Sequence, residues 1–119
     1  MTKWFPPGNK YHNQPTKYNG RTYHSKAEAD YAKNLDLMKK AGMVIEWIPQ
    51  PKFVLSRIRY TADFLVVWSD GTVTVDDVKG KETQRTRDVR KLWPAHVNLP
   101  LRFIWSRGEP EVILPEVST

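Results

Sequence analysis

The 119-residue chain has no cysteine, which excludes disulfide frameworks, thiolate zinc sites and cysteine nucleophiles. Its histidines, His12, His24 and His96, are too scattered for a helical metal motif. No apolar run approaches the roughly 20 residues that cross a bilayer, so no membrane partner is expected. Residues 1–20 lack the charged-then-apolar order of a secretory leader, nothing in them directs export, and the expected compartment is the cytosol. Internal repeats and low-complexity tracts are also missing. What is present is an ordinary globular balance, 39% hydrophobic and 27% charged, at a length that suits one domain with a real core. Net charge is +6 with an isoelectric point near 9.7, which favours polyanions, nucleic acid first among them.

Local signals divide the chain into elements. Residues 1–20, with Trp4, Phe5, Tyr11 and Tyr18 among Pro6, Pro7 and Pro15, read as an irregular N-terminal arm ending in a hairpin around Asn19-Gly20. Ser25-x-x-Glu28 matches a capping box and opens a helix that Lys39, Lys40 and Gly42 close, with Tyr31, Leu35 and Met38 as its core stripe. Met43 to Ile48 and Lys52 to Arg59 read as extended segments. Tyr60 to Trp68 and Thr72 to Lys79 read as two strands joined by Ser69-Asp70-Gly71. A second amphipathic helix is expected from Thr83 to Trp93, stopped or kinked by Pro94, then a strand from Leu101 to Trp105. The tail over 108–119 reads as peripheral. This order predicts a single α/β domain over 1–119, with one mixed, largely antiparallel central sheet flanked by helices.

Loop length decides which side chains share a face. With a three-residue turn ending in Gly71, Val67 falls opposite Val73, Leu65 opposite Val75, Asp63 opposite Asp77 and Thr61 opposite Lys79. A two-residue Asp70-Gly71 turn would separate the two aspartates. Like charges across a sheet repel, and burial beside Leu65 and Val75 worsens it, so a cation belongs there. Mg²⁺ fits, since it takes one or two carboxylates and keeps waters for exchange with phosphate. Lys79, on the same face, can act electrostatically beside it. Glu28 shares the inward helix face with Ala32 and Leu35, an odd place for a carboxylate unless it meets a cation or a bound water. Such a set can hydrolyse a phosphodiester.

Each feature also has a plainer explanation. Asp-Val-Lys spacing arises about once by chance in a chain this rich in acids and lysines. Glu28 can simply complete the capping box, Asp76 reads as a solvated neighbour, and Arg85, Arg87, Arg90 and Lys91 can be a wet helix face.

Together, Glu28 on the first helix, Tyr-Thr-Ala-Asp-Phe (Tyr60 to Phe64) and Val-Asp-Asp-Val-Lys-Gly (Val75 to Gly80) resemble the PD-(D/E)XK nuclease superfamily, in that family's order. The resemblance spans residues 22–105 and is nearest to small phage-encoded members and archaeal-type Holliday junction resolvases. It implies a restriction-endonuclease-like fold. It further implies Asp63, Asp77 and the backbone carbonyl of Val78 as metal ligands, Lys79 as the catalytic lysine, and Glu28 as the helix-borne acid, possible as a ligand through water. The acid two before Lys79 is Asp where Glu is commoner, and the Asp63 segment lacks the family's proline. The expected activity is Mg²⁺-dependent DNA endonuclease, with Mn²⁺ as substitute, most specifically a homodimeric resolvase nicking four-way junctions. A phage-encoded chain would act in the host cytoplasm. Lys81, Arg85, Arg87, Arg90 and Lys91 are the expected DNA contacts. Alternatives are a recombination, transposition or packaging nuclease of the same fold, or a non-catalytic basic nucleic-acid-binding module.

Overall fold

The computed structural model describes residues 14–116. The chain divides into two compact units, the first ending at Leu37 and the second beginning at Met38. Most of the expected N-terminal arm lies outside the described residues.

In the first unit, β1 (Thr16–Tyr18) and β2 (Arg21–Tyr23) form an antiparallel hairpin. Asn19 and Gly20 take positive φ of 52° and 83°, the type I′ turn that an Asn-Gly pair favours. Helix α1 (Lys26–Lys40) begins where expected: Ser25 Oγ accepts the Glu28 N–H at 3.1 Å and the Ser25 carbonyl accepts that of Ala29. The Tyr18 hydroxyl ties hairpin to helix by donating to Asp36 Oδ2 at 2.5 Å. Ala29, Ala32 and Leu35 are buried, while Tyr31 and Met38 of the expected stripe are only half-buried.

The second unit holds β3 (Val44–Pro49), β4 (Lys52–Leu55), β5 (Ile58–Thr61), β6 (Phe64–Trp68), β7 (Val73–Lys79), α2 (Gln84–His96), β8 (Leu101–Trp105) and β9 (Glu111–Ile113). Five of these make a sheet ordered β3-β6-β7-β8-β9. The β7–β8 join is parallel and the others are antiparallel. This is the mixed, largely antiparallel α/β architecture that the sequence predicts. No helix among the described residues is long and apolar enough to cross a membrane.

The β6–β7 hairpin sets the register of the site. Val67 pairs with Val73 and Leu65 with Val75, as a three-residue turn requires. Trp68 N–H donates to the Thr72 carbonyl at 2.8 Å, Gly71 N–H to the Trp68 carbonyl at 3.0 Å, and Gly71 has φ of 92°. Asp70 Oδ1 accepts both the N–H and the hydroxyl of Thr72, locking the turn.

Three sequence expectations are corrected. Tyr60 to Trp68 is not one strand: β3–β4 and β5–β6 form a single long ribbon, bent where Gln50 adopts a φ of 54° opposite Asp63. Gln50 N–H donates to the Asp63 carbonyl at 2.8 Å and Ala62 N–H to the Pro51 carbonyl at 3.0 Å, so pairing persists through the bend. Lys52 to Arg59 likewise doubles back at Ser56, whose φ is 61°. The tail is not peripheral, because β9 pairs with β8 and Ile113 enters the core at 7% exposure.

One face of the sheet contributes Val75, Leu101 and Phe103 to this core, and α2 contributes Val89 and Trp93. The bent ribbon adds Leu55 and Tyr60. Trp93 is fully buried, donates its indole N–H to the Leu99 carbonyl at 2.7 Å, and meets Phe53 and Tyr60 edge-on. Thr83 caps α2 by accepting the Thr86 N–H. Of the stop or kink expected at Pro94, the stop is absent: the helix runs through to His96. Proline removes only one amide donor, and the turn closes regardless as Val97 N–H reaches the Trp93 carbonyl.

Candidate active site

Ladder pairing between β6 and β7 ends at Phe64 and Asp76, because the bend carries β5 away from the sheet. In the same register Asp63 would face Asp77 next. Trp68 bonds to Thr72, and hydrogen-bonded pairs alternate along an antiparallel ladder, so the N–H and C=O of Val78 point toward the β6 side. No strand backbone meets that N–H. Asp63 does so instead, its Oδ2 accepting from Val78 N at 2.8 Å. A carboxylate thus caps the amide left over where two strands part, and the Val78 carbonyl opens to the same side.

Asp77 lies next to this cap and is 3% exposed. Its Oδ2 accepts from the Tyr60 hydroxyl and stands 3.0 Å from Lys79 Nζ. The Lys79 ammonium is also held over the Phe103 ring, 5.6 Å from its centroid. Burial above all, then the charge and hydrogen bond of Asp77 and the charge of Asp63, push the Tyr60 phenol far above its ordinary value, with Arg85 opposing. The phenol is therefore a permanent donor at working pH. Both aspartates and Arg85 thus lie within electrostatic reach of the phenol.

Asp63, Asp77 and Lys79 are thus brought together at one end of β7, with the Val78 carbonyl on the Asp63 side. Glu28 belongs to the first unit. It is buried, its Oε1 accepts the His24 N–H at 3.3 Å, and its own N–H is held by Ser25. That is a capping box displaced by one residue, and it gives the Glu28 carboxylate a structural duty.

The basic residues divide. Arg90 is committed to structure: it forks onto Glu82 at 2.9 Å and onto Glu111 at 2.6 Å. Its charge is spent there, which removes it from the expected DNA face. Arg87 leans on Gln84, and Lys81 and Lys91 are exposed. Arg85 donates to the Arg59 carbonyl, which sets it beside Tyr60. The first turn of α2 contains no acid, so its positive dipole end and Arg85 act together.

Asp76 is corrected outright. It is fully buried and gripped by Arg102 through two hydrogen bonds of 2.9 and 3.0 Å. Arg102 also stacks 5.3 Å from the Trp68 ring. Alternation along β7 puts this pair on the face opposite Asp77. Strict alternation with Asp77 and a matching arginine on the predicted strand Leu101 to Trp105 were the signals available for it. Tyr60 was missed because a tyrosine in a β-rich segment reads first as core.

A divalent ion needs several oxygen donors converging at one point. Among the described residues no group of three or more His, Cys, Asp or Glu is placed to hold a metal. The described contacts of Asp77 both fall on Oδ2, so its buried Oδ1 takes no hydrogen bond or ion pair from the described residues. An acceptor without a donor in a buried place calls for a cation or water. Two carboxylates and a carbonyl, all oxygen, fit Mg²⁺, which completes its shell with water.

The chain belongs to the protein family DUF1064, described as a protein of unknown function, whose family model matches residues 8–108. No curated protein and no solved structure matches it.

Proposed function

We propose that this DUF1064 member is a Mg²⁺-dependent DNA endonuclease, and that its substrate is branched DNA, cut by a pair of chains acting on a four-way junction. The carrying observation is the buried Asp77 Oδ1, which lacks a described protein donor beside a second carboxylate and a lysine. A bound Mg²⁺ would supply Lewis-acid activation of water and neutralise phosphate charge. Asp77 Oδ1, the Asp63 carboxylate and the Val78 carbonyl would hold it. Lys79 keeps a positive charge next to the reacting phosphate, where it stabilises charge that grows as the P–O bond breaks. Arg85 and the α2 N-terminus orient the phosphate backbone, and Lys81 and Lys91 extend that contact. The preference for branched DNA rests on the nuclease resemblance and on the net charge of +6, which binds backbone without reading bases.

Labelled four-way junction, flap and linear duplex are incubated with and without Mg²⁺, alongside Asp77→Asn and Lys79→Ala. Paired symmetric nicks in the junction that need Mg²⁺ and fall at least about 100-fold in either variant are expected, on the scale of losing a preorganised electrostatic group. Cleavage of duplex and flap alone would keep the nuclease and discard the junction. Metal-independent binding of all three without products would favour a non-catalytic binding module.

A further inference from the structure

Asp77 is held unevenly. Tyr60 and Lys79 both approach Oδ2, and no described residue donates to Oδ1. The phenol has no room to leave. Tyr60 is 3% exposed, and its ring stands edge-on to Trp93 at 6.0 Å and 87°. Trp93 is in turn fixed against Phe53 at 4.9 Å and by its bond to Leu99. The chain of contact therefore runs from the α2 core to one carboxylate oxygen.

We propose that Tyr60 is a positioning residue of the metal site: its hydroxyl, backed by Trp93, occupies Asp77 Oδ2 and so makes Asp77 a one-oxygen ligand through Oδ1. This rests on the metal-dependent reading above. Calcium takes six to eight oxygens, often two from one carboxylate, whereas Mg²⁺ takes six at short, near-octahedral distances. A carboxylate with one oxygen already committed suits the smaller ion. Tyr60 thereby favours Mg²⁺ and Mn²⁺ over Ca²⁺. Groups that orient a ligand without touching the metal typically change affinity by about 10–100-fold.

Mn²⁺ binding to the full chain, without DNA, is followed by the loss of the free-ion electron paramagnetic signal, with Mg²⁺ and Ca²⁺ as competitors. Wild type is expected to bind, Asp77→Asn to lose binding, and Tyr60→Phe to weaken it about 10-fold while Ca²⁺ competes better. A wild type that binds no Mn²⁺ overturns the metal-dependent reading and this inference with it. Wild-type binding that Asp77→Asn abolishes and Tyr60→Phe leaves unchanged, in affinity and in Ca²⁺ competition, overturns the role of Tyr60 alone. Thermal melting checks that Tyr60→Phe folds. Independently of any variant's affinity, the protected Tyr60 hydroxyl proton, assigned through the Tyr60 ring that stands edge-on to Trp93 and by its loss in Tyr60→Phe, is expected to shift when wild type is saturated with Mg²⁺, and an unmoved resonance overturns the positioning role.

Discussion

Trp93 joins stability to the candidate site through a single side chain. Truncating a fully buried indole leaves a cavity and strands the Leu99 carbonyl, so Trp93→Ala is expected to cost about 3–5 kcal/mol, read from chemical denaturation. Trp93→Phe keeps the ring contacts with Phe53 and Tyr60 and should cost less. Asp76 and Arg102 give a contrast on the other face. Asp76→Ala takes the carboxylate from the half-buried Arg102 guanidinium, whose side chain is 23% exposed, and should cost about 1.5–3 kcal/mol, the scale of lost hydrogen bonds to a charged group. Replacing both partners by Leu and Met should come much nearer to wild type, since the desolvation of the pair is then relieved as well. A four-variant denaturation cycle separates the two costs. Equal losses in the single and double variants would show that the pair matters only through packing.

Strand β9 is held by chemistry that responds to acid. The Arg90 hydrogen bonds, with a smaller contribution from the Trp105 indole, hold the Glu111 carboxyl below its ordinary value of 4.5 in spite of partial burial. A folded-state value below the unfolded one means stability that is present above about pH 4.5 and lost as pH falls through the depressed folded value. Melting temperature is therefore expected to fall on acidification below that point. Glu111→Gln should start lower at neutral pH and show a shallower acid slope. The elements were unequally legible beforehand. The β6–β7 register was readable because side-chain direction alternates strictly and Asp70-Gly71 announces its turn. Strand β8 stood out as an isolated apolar run. The bend at Asp63 was not readable, since Tyr60 to Trp68 is β-rich throughout and the break depends on Gln50, thirteen residues away, taking a left-handed conformation. Strand β9 was hidden because Glu111–Ile113 is only three residues long, sits between Pro110 and Pro115, and gains its order from Arg90 and β8. At the site, Asp63, Asp77 and Lys79 followed from parity alone. The Tyr60 hydroxyl and the commitment of Arg90 required knowing what surrounds them.

For the whole chain, the excess of six positive charges should appear as salt-sensitive DNA binding. The logarithm of affinity is expected to fall with log salt by about 0.9 per phosphate contacted. Arg85→Ala and Lys91→Ala should each reduce that slope by about 1. Arg90→Ala should leave the slope alone and lower the melting temperature, because its charge is already matched by Glu82 and Glu111. Fluorescence anisotropy across a salt series, paired with melts, distinguishes the two classes. A slope that drops in Arg90→Ala as it does in Arg85→Ala would put Arg90 back among the DNA contacts. The surface turn ending at Gly71 has a consequence for how chains of this family can diverge. It acts as a reading frame: one residue gained or lost there throws the two aspartates onto opposite sides, and a second restores them. Relatives that keep both aspartates on one face are therefore expected to differ in length at that turn by even numbers, although no residue in it adjoins either carboxylate.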